Sequence, residues 1–416
     1  MNYSRWATVS ELKEKLTEIK PDSKIEKSGI PMMSEGDNLF IKDDEAHTMV
    51  IGCTGSGKTQ ATVLPELKLA VKAGESFVVN DINGEILGLL KEDLNKENYN
   101  TIVINFADPS NSDGFNPLEV PYKLYKEGKK DQATDFLENI GHYLFANETV
   151  NLNVDPFWQN SATSLFVGLV LYKFEKEDKL ITLNDINELV NNLDEVGDYL
   201  KSEDKSLVIN TYLSGILFAP TETKASILSV FKQYIRLFAS RESLTKLMTK
   251  NTFDMGSIQK EKTAIFIISD HKVYSKKLMP LLFDQICNYT LLYGDKSRRL
   301  NIIVDEFANM IPFKDITNMI NITRMNNIRL TLVVQNLAQI SYVYGKDNAN
   351  MIMDNCGNIV YLLSIESSTL DEISKLCGGL ISQEELRLLK QFEAIILMPR
   401  MNPIKTNLIP YYKINW

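Results

Sequence analysis

Apolar residues along this chain follow two periods. Short, nearly unbroken apolar runs at 47–52, 76–80 and 101–106 are separated by stretches with helical spacing. Such runs predict buried strands, and strands alternating with helices predict a parallel sheet covered on both faces. The alternation returns after residue 260, with strands expected at 264–268, 300–304, 330–334, 358–362 and 394–397. Between them, from 119 to 255, the strand signal fades. Leu165, Leu169 and Tyr172 mark one helix and Ile227, Val230, Phe231, Tyr234 and Phe238 another, while Thr182 with Asp185 has the spacing of a capped helix start. Residues 1–45 are polar and mixed. There Thr8 and Glu11 form a capping-box signature, and Leu12, Leu16 and Ile19 mark one face of an amphipathic helix. The expected organisation is α/β: an N-terminal segment 1–45, a domain from 46–118 and 256–416 built on a mostly parallel sheet, and an inserted all-α domain at 119–255.

Composition changes this picture little. A chain of 416 residues has room for two or three cores, and 44% hydrophobic with 24% charged residues is ordinary for a globular protein. The net charge of −9 gives no global attraction to nucleic acid but leaves room for a local basic channel. Cys53, Cys287, Cys356 and Cys377 are scattered and His47, His142 and His271 lie far apart, so no zinc signature is present and a reducing, intracellular setting is expected. No run approaches the ~20 apolar residues of a spanning helix. Lys272, Lys276 and Lys277 form a small basic cluster, read here as a solvated loop.

The sharpest chemical signal is Gly52-Cys53-Thr54-Gly55-Ser56-Gly57-Lys58-Thr59, which fills the pattern GxxxxGK[ST]. It follows a predicted strand and precedes a predicted helix. Glycines let the backbone wrap closely and aim N–H groups at phosphate oxygens, and the helix start adds positive potential. Gly52, Thr54, Gly55, Ser56, Gly57, Lys58 and Thr59 are therefore the expected phosphate cradle. Lys58 would reach the outer phosphates of ATP, and the Thr59 hydroxyl would ligate Mg2+. Pro65 falls beyond the first turn of the following helix, which should kink or stop there.

A P-loop needs acids from a neighbouring strand. Asn301-Ile302-Ile303-Val304-Asp305-Glu306 supplies a buried strand ending in two carboxylates. Asp305 is expected to order the metal shell and Glu306 to polarise the attacking water. Gln335 ends the next strand, where a polar side chain either senses the γ-phosphate or merely terminates the strand. Arg324 by spacing alone reads as a solvated arginine. Asp81 and Glu85, in Asp81-Ile82-Asn83-Gly84-Glu85, read as a capped turn or as a functional pair, with the turn favoured.

Taken together, these motifs resemble the coupling-protein ATPases of conjugative type IV secretion systems, RecA-like hexameric motors related to septal DNA translocases. The resemblance covers nearly the whole chain. It is carried by Ser4-Arg5-Trp6-Ala7-Thr8 at the start, His47 ahead of the P-loop, Pro65 within its helix, Phe115-Asn116-Pro117-Leu118, Phe157-Trp158 with Ala162, and Gln335-Asn336-Leu337-Ala338-Gln339 followed by Tyr344-Gly345. Asn83 departs from it, standing where that family usually has lysine. The resemblance implies that Arg324 reaches the nucleotide of a neighbouring subunit and that Gln335 contacts the γ-phosphate, so both join Lys58 and Glu306 as expected catalytic residues. It also implies a homo-hexamer with ATP and Mg2+ at each interface, moving single-stranded DNA and a relaxase–DNA complex into a type IV secretion channel, with the helical domain selecting cargo. The family's membrane anchor has no counterpart in this sequence. A fragment, or a variant that borrows a separate membrane partner, is expected at the cytoplasmic face of the membrane. A helicase of the same superfamily is one rival, separated by duplex unwinding. A docking module that holds ATP without turnover is another, disfavoured by the second acid, Glu306.

Overall fold

The computed structural model describes residues 5–21, 23–146, 155–270 and 272–414. Ser4 and His271, both used above, lie outside them. The chain divides into two compact units: residues 1–102, 255–266 and 287–416 form the first, and residues 103–254 and 267–286 the second.

Twelve strands are present: β1 Thr17–Ile19, β2 Ile30–Glu35, β3 Asn38–Lys42, β4 Thr48–Gly52, β5 Ser76–Ile82, β6 Asn100–Asn105, β7 Thr263–Ser269, β8 Leu300–Val304, β9 Ile328–Val334, β10 Asn358–Leu363, β11 Glu393–Leu397 and β12 Ile404–Asn407. Nine of them form one sheet in the order β12-β11-β10-β4-β9-β8-β5-β7-β6. The pairs β10/β4, β4/β9, β9/β8 and β8/β5 are parallel, while β10/β11 and β11/β12 are antiparallel. The P-loop strand β4 is thus central and buried along its length, which is why it reads as an unbroken apolar run. Val50, Phe77, Ile303, Val333 and Val360 from five strands pack with Leu64 and Leu67 of the helix after the P-loop into one core.

All eight predicted strands are present. Four were not predicted: β1, β2 and β3, which form a separate sheet in the order β1-β3-β2, and β12. The β2–β3 hairpin turns through Gly36-Asp37, with Gly36 at φ 59° and Glu35 paired with Asn38. Gly-Asp is a two-residue turn signal, set here within a polar segment. The N-terminal helix is shorter than its predicted face. It runs Val9–Lys15 under the expected Thr8/Glu11 capping box, then Leu16 turns extended and Ile19 joins β1.

Pro65 neither stops the P-loop helix nor stands alone. A π-helical turn, Thr59–Val63, closes with the Leu64 N–H on the Thr59 carbonyl, and an α-helix Leu64–Ala73 continues with Pro65 in its first turn. The widened turn changes the hydrogen-bond register just before the residue that lacks an N–H, so the proline costs no bond there.

In the second unit, the helices Lys130–Phe145, Phe157–Lys176 and Thr221–Ala239 share an aromatic core in which Phe145 meets Phe166, Phe231 and Tyr234. The Thr182/Asp185 box caps Leu183–Leu189 as expected. The reading of the lysine cluster as a solvated loop is corrected. Lys277 is buried, and its ammonium donates to the carbonyls of Tyr143, Leu144 (3.1 Å) and Ala146 at the end of the helix Lys130–Phe145. A cation there meets unpaired carbonyls and the negative end of the helix dipole. Lys272 pairs with Asp270 at 2.6 Å. Among the described residues no helix is long and apolar enough to cross a membrane.

Candidate functional site

The ends of β4, β5 and β8 converge at one edge of the sheet and put the P-loop, Asp81 and Asp305 around a cavity of about 390 Å³. Ligands of open α/β sheets bind at this carboxyl edge. Each glycine of the loop has a reason to be one. A Cβ on Gly52 would collide with the Ser56 hydroxyl, Gly55 has φ 80°, and Gly57 has φ 90° with the Phe392 ring 2.7 Å from where a Cβ would stand. Phe392, itself at φ 69°, is a wall of the loop that the sequence did not suggest.

The Lys58 ammonium donates to the carbonyls of Gly52 and Cys53 (3.2 Å to the latter). Burial lowers its pKa, opposed by the nearby Asp305 carboxylate. Thr59 Oγ1 donates to Asp305 Oδ2 at 3.4 Å. Asp305 is buried, which pushes its pKa up, and Lys58 pulls it back. Asn80, within β5, clamps Asp305 from both sides: its amide nitrogen donates to the Asp305 carbonyl (2.7 Å) and its amide oxygen accepts the Asp305 N–H (2.6 Å). The sequence hint was a lone amide at the end of the apolar run Phe77-Val78-Val79.

Glu306 sits in the left-handed region at φ 54°, a conformation that a non-glycine residue keeps only under constraint. Its N–H donates to Asp305 Oδ1 (3.0 Å), and its Oε2 accepts from Asn309 Nδ2 (2.8 Å). Both acids line the cavity. Asp81 takes the turn role: its carboxylate accepts the N–H groups of Ile86 (3.0 Å) and Leu87 (2.8 Å) at the start of the helix Glu85–Lys96. Asn83 and Gly84 are both left-handed, which suits Asn better than Lys. Asp81, Asn83 and Glu85 also line the cavity.

The remaining two expected residues lie elsewhere. Gln335 follows Val334, the β9 partner of Ile51, so it stands beside the start of the P-loop. It is outside the cavity lining, and its amide oxygen accepts from Gln339 at 3.5 Å. Arg324 ends the helix Ile316–Thr323, is exposed, and lines a different cavity. The fold does not bring it to Lys58 of the same chain.

His47 ties this helix to the P-loop strand. Its Nδ1 accepts the Leu330 N–H (3.0 Å), so Nε2 carries the proton and donates to the Ile320 carbonyl (2.9 Å), sharing it with Thr323 Oγ1 (3.2 Å). Burial, aided by the Arg324 and Arg329 charges, lowers its pKa to about 4 against the Ile320 bond. A base whose folded pKa is depressed gives its full stability above the unfolded value near 6.5 and loses it as pH falls towards 4. Lowering pH through that window should cost ~3 kcal/mol from this group. Urea unfolding of the parent and of His47→Gln, at pH 7 and pH 4, measures it. Equal pH dependence in both proteins would remove the assignment.

The donor set fits a nucleotide with a divalent metal. Ser56 Oγ is buried without a partner in the loop, beside backbone that only glycine allows, and a hydroxyl and a carboxylate already face each other where a hard cation takes oxygen ligands. Thr59 and Asp305 would hold the metal.

A family model described as type IV secretory system conjugative DNA transfer matches residues 5–380. No curated protein sequence matches the chain. Among solved structures, the bacterial conjugative coupling protein TrwBΔN70, unbound form, aligns at TM-score 0.71 and 14% identity, covering 99% of this chain and 93% of its own. TrwB in complex with ADP and Mg2+ aligns at TM-score 0.70 and 15% identity, over 97% and 93%. VirB4 of Thermoanaerobacter pseudethanolicus aligns at TM-score 0.61 and 14% identity, over 94% and 98%. At these identities the likeness is one of fold, and it is the RecA-like fold of TrwB that the chain shares.

Proposed function

The chain belongs to the conjugative DNA-transfer family of type IV secretory systems, and from that premise we propose that it is an ATP-driven coupling protein that moves single-stranded DNA, with its bound relaxase, towards the secretion channel. The observation that carries this reading is the approach of Thr59 to Asp305 beside Lys58, with Glu306 next in sequence, in one cavity at the carboxyl edge of the sheet. In the proposed cycle the P-loop N–H groups and Lys58 bind the phosphates of ATP. Thr59 and Asp305 hold Mg2+, which neutralises charge on the transferring phosphoryl group. Glu306 orients the attacking water and takes its proton. Arg324 of a neighbouring copy steadies the transferring group, and Gln335 responds to the γ-phosphate from beside the loop. Hydrolysis at shared interfaces of a homo-hexamer then drives the stroke. The inserted all-α domain, 119–255, receives the cargo. TrwB, solved with ADPNP and with ADP and Mg2+, supports the nucleotide and the metal. A separate membrane partner, or an anchor outside this sequence, would hold the protein at the cytoplasmic face of the membrane.

The test is the specific ATPase rate measured across protein concentration, with and without single-stranded DNA. The expected result is a rate per subunit that rises with concentration and rises again, severalfold, on adding DNA. A slow rate indifferent to both would overturn the shared-site motor. Duplex unwinding by the same preparation would point to a helicase.

A further inference from the structure

A second cavity, of about 480 Å³, opens on the first unit and shares no lining residue with the P-loop cavity. It is lined by Lys15 at the end of the N-terminal helix, Lys42 at the end of β3, Asp44, Arg324, and the turn Pro399-Arg400-Met401 between β11 and β12. Lys42 pairs with Asp44 at 3.0 Å. Lys15, Arg324 and Arg400 have no carboxylate partner among the described residues, so like charges are gathered without compensation. Arg400 is held at φ 58°, a left-handed backbone that glycine would adopt freely. Strain of this kind at a charged residue persists where the surroundings over-determine it, and it is concentrated at sites that act on ligands.

The charges of the two cavities are opposite and matched. The basic one has four cations and one carboxylate, which leave a formal +3. The P-loop cavity has one cation, Lys58, against Asp81, Glu85, Asp305 and Glu306, which leave −3. A triphosphate entering the P-loop cavity adds further negative charge where the lining is already acidic, and one lysine with one divalent metal does not balance it. The missing cations are on the other cavity of the same chain. A head-to-tail contact between copies that closed into a ring would set one cavity against the other. Apolar side chains flank both: Met325, beside Arg324, is 87% exposed, and Leu89, at the P-loop cavity, is 47% exposed.

We infer that Arg400 acts in trans beside Arg324, and that the cavity they share receives the phosphate end of the nucleotide held by Lys58 of a second copy of this chain. The inference rests on the shared-interface hydrolysis proposed above and adds to it a second arginine and the ligand class of the basic cavity, a nucleoside triphosphate presented by another subunit.

Arg400→Gly is the deciding variant, because it removes the guanidinium while relieving the left-handed backbone. The full chain should keep its thermal midpoint or gain in it. Dilute subunits should bind a fluorescent ATP analogue as the parent does. The ATPase rate at assembling concentrations should fall at least about tenfold, less than the ~10³–10⁵ that a trans-acting arginine finger is worth, because Arg324 is still in place. Mixing an Arg324→Ala/Arg400→Gly double variant with Lys58→Ala should restore hydrolysis that neither shows alone, since one supplies the P-loop and the other the arginines. If Arg400→Gly hydrolyses like the parent while Arg324→Ala does not, the role of Arg400 falls and the shared interface stands. If both hydrolyse like the parent, or the parent's rate is indifferent to concentration, the interface reading falls with it. A loss of analogue affinity in dilute Arg400→Gly would place the arginine in the chain's own site and overturn the trans assignment.

Discussion

Replacing Glu306 with glutamine should lower ATP hydrolysis by roughly 10²–10⁴-fold, the usual worth of a positioned general base, and leave nucleotide affinity nearly unchanged. Glutamine keeps the length of the side chain and an oxygen that can accept from Asn309, so the left-handed turn at φ 54° and the Asp305 contact with the 306 N–H are retained. What is lost is the ability to take a proton from water. The proposed metal-holding pair, Thr59 and Asp305, is not touched by the substitution. Steady-state rate and equilibrium binding of a non-hydrolysable analogue, measured on the same preparation, separate the two effects. An unchanged rate would end the base assignment. Affinity and rate falling together would make Glu306 a structural support of the turn.

Replacing Arg329 with alanine should destabilise the first unit by roughly 3–5 kcal/mol, the cost of breaking a buried ion pair from one side. Arg329 is 1% exposed in β9, and its partner Glu66, on the helix after the P-loop, is fully buried at 3.3 Å. Thr331 Oγ1 donates to Glu66 (3.0 Å), and Arg329 donates to the Ser28 carbonyl (3.0 Å) and hydroxyl (2.8 Å). Ser28 in turn donates to Glu75, which also meets Arg299 at 3.6 Å and Asn301 at 2.9 Å. Burial raises the Glu66 pKa and Arg329 opposes it, so without Arg329 the acid must be protonated or remain an uncompensated charge. Urea unfolding should show the loss, and a Glu66→Leu/Arg329→Met pair should recover most of it by replacing both charges with packed apolar volume. A loss under about 1 kcal/mol in the single variant would mean that the network carries no such weight. Because Glu66 belongs to the P-loop helix, the single variant should also weaken nucleotide binding, and the pair should restore it.

What the sequence determined by itself is the part written in local pattern. Strands buried on both faces must be apolar throughout, so β4, β5, β8 and β9 were legible as runs, and the order of runs and helices implied the parallel sheet. The P-loop was legible because close approach to phosphate admits few residue types, and Asp305 and Glu306 because a strand end beside that loop needs acids. The short antiparallel pieces were not legible. β1, β2, β3 and β12 are edge or hairpin strands of three to six residues whose apolar stretches are bounded by polar residues, and they pair antiparallel with partners nearby in the chain.

The tertiary structure alone decided which polar residues inside these elements meet. Asn80 and Asp305, His47 and Ile320, and Glu66 and Arg329 are far apart in the chain, and nothing in their local spacing joins them. A buried polar group has to find a partner somewhere, but the chain states only that it is polar. The sheet order, which puts β5 next to β8 and β4 next to β9, chooses the partner. The same holds for charge. The sequence shows a net balance of −9, and only folding sorts it into an acidic cavity at the P-loop and a basic one around Arg324 and Arg400.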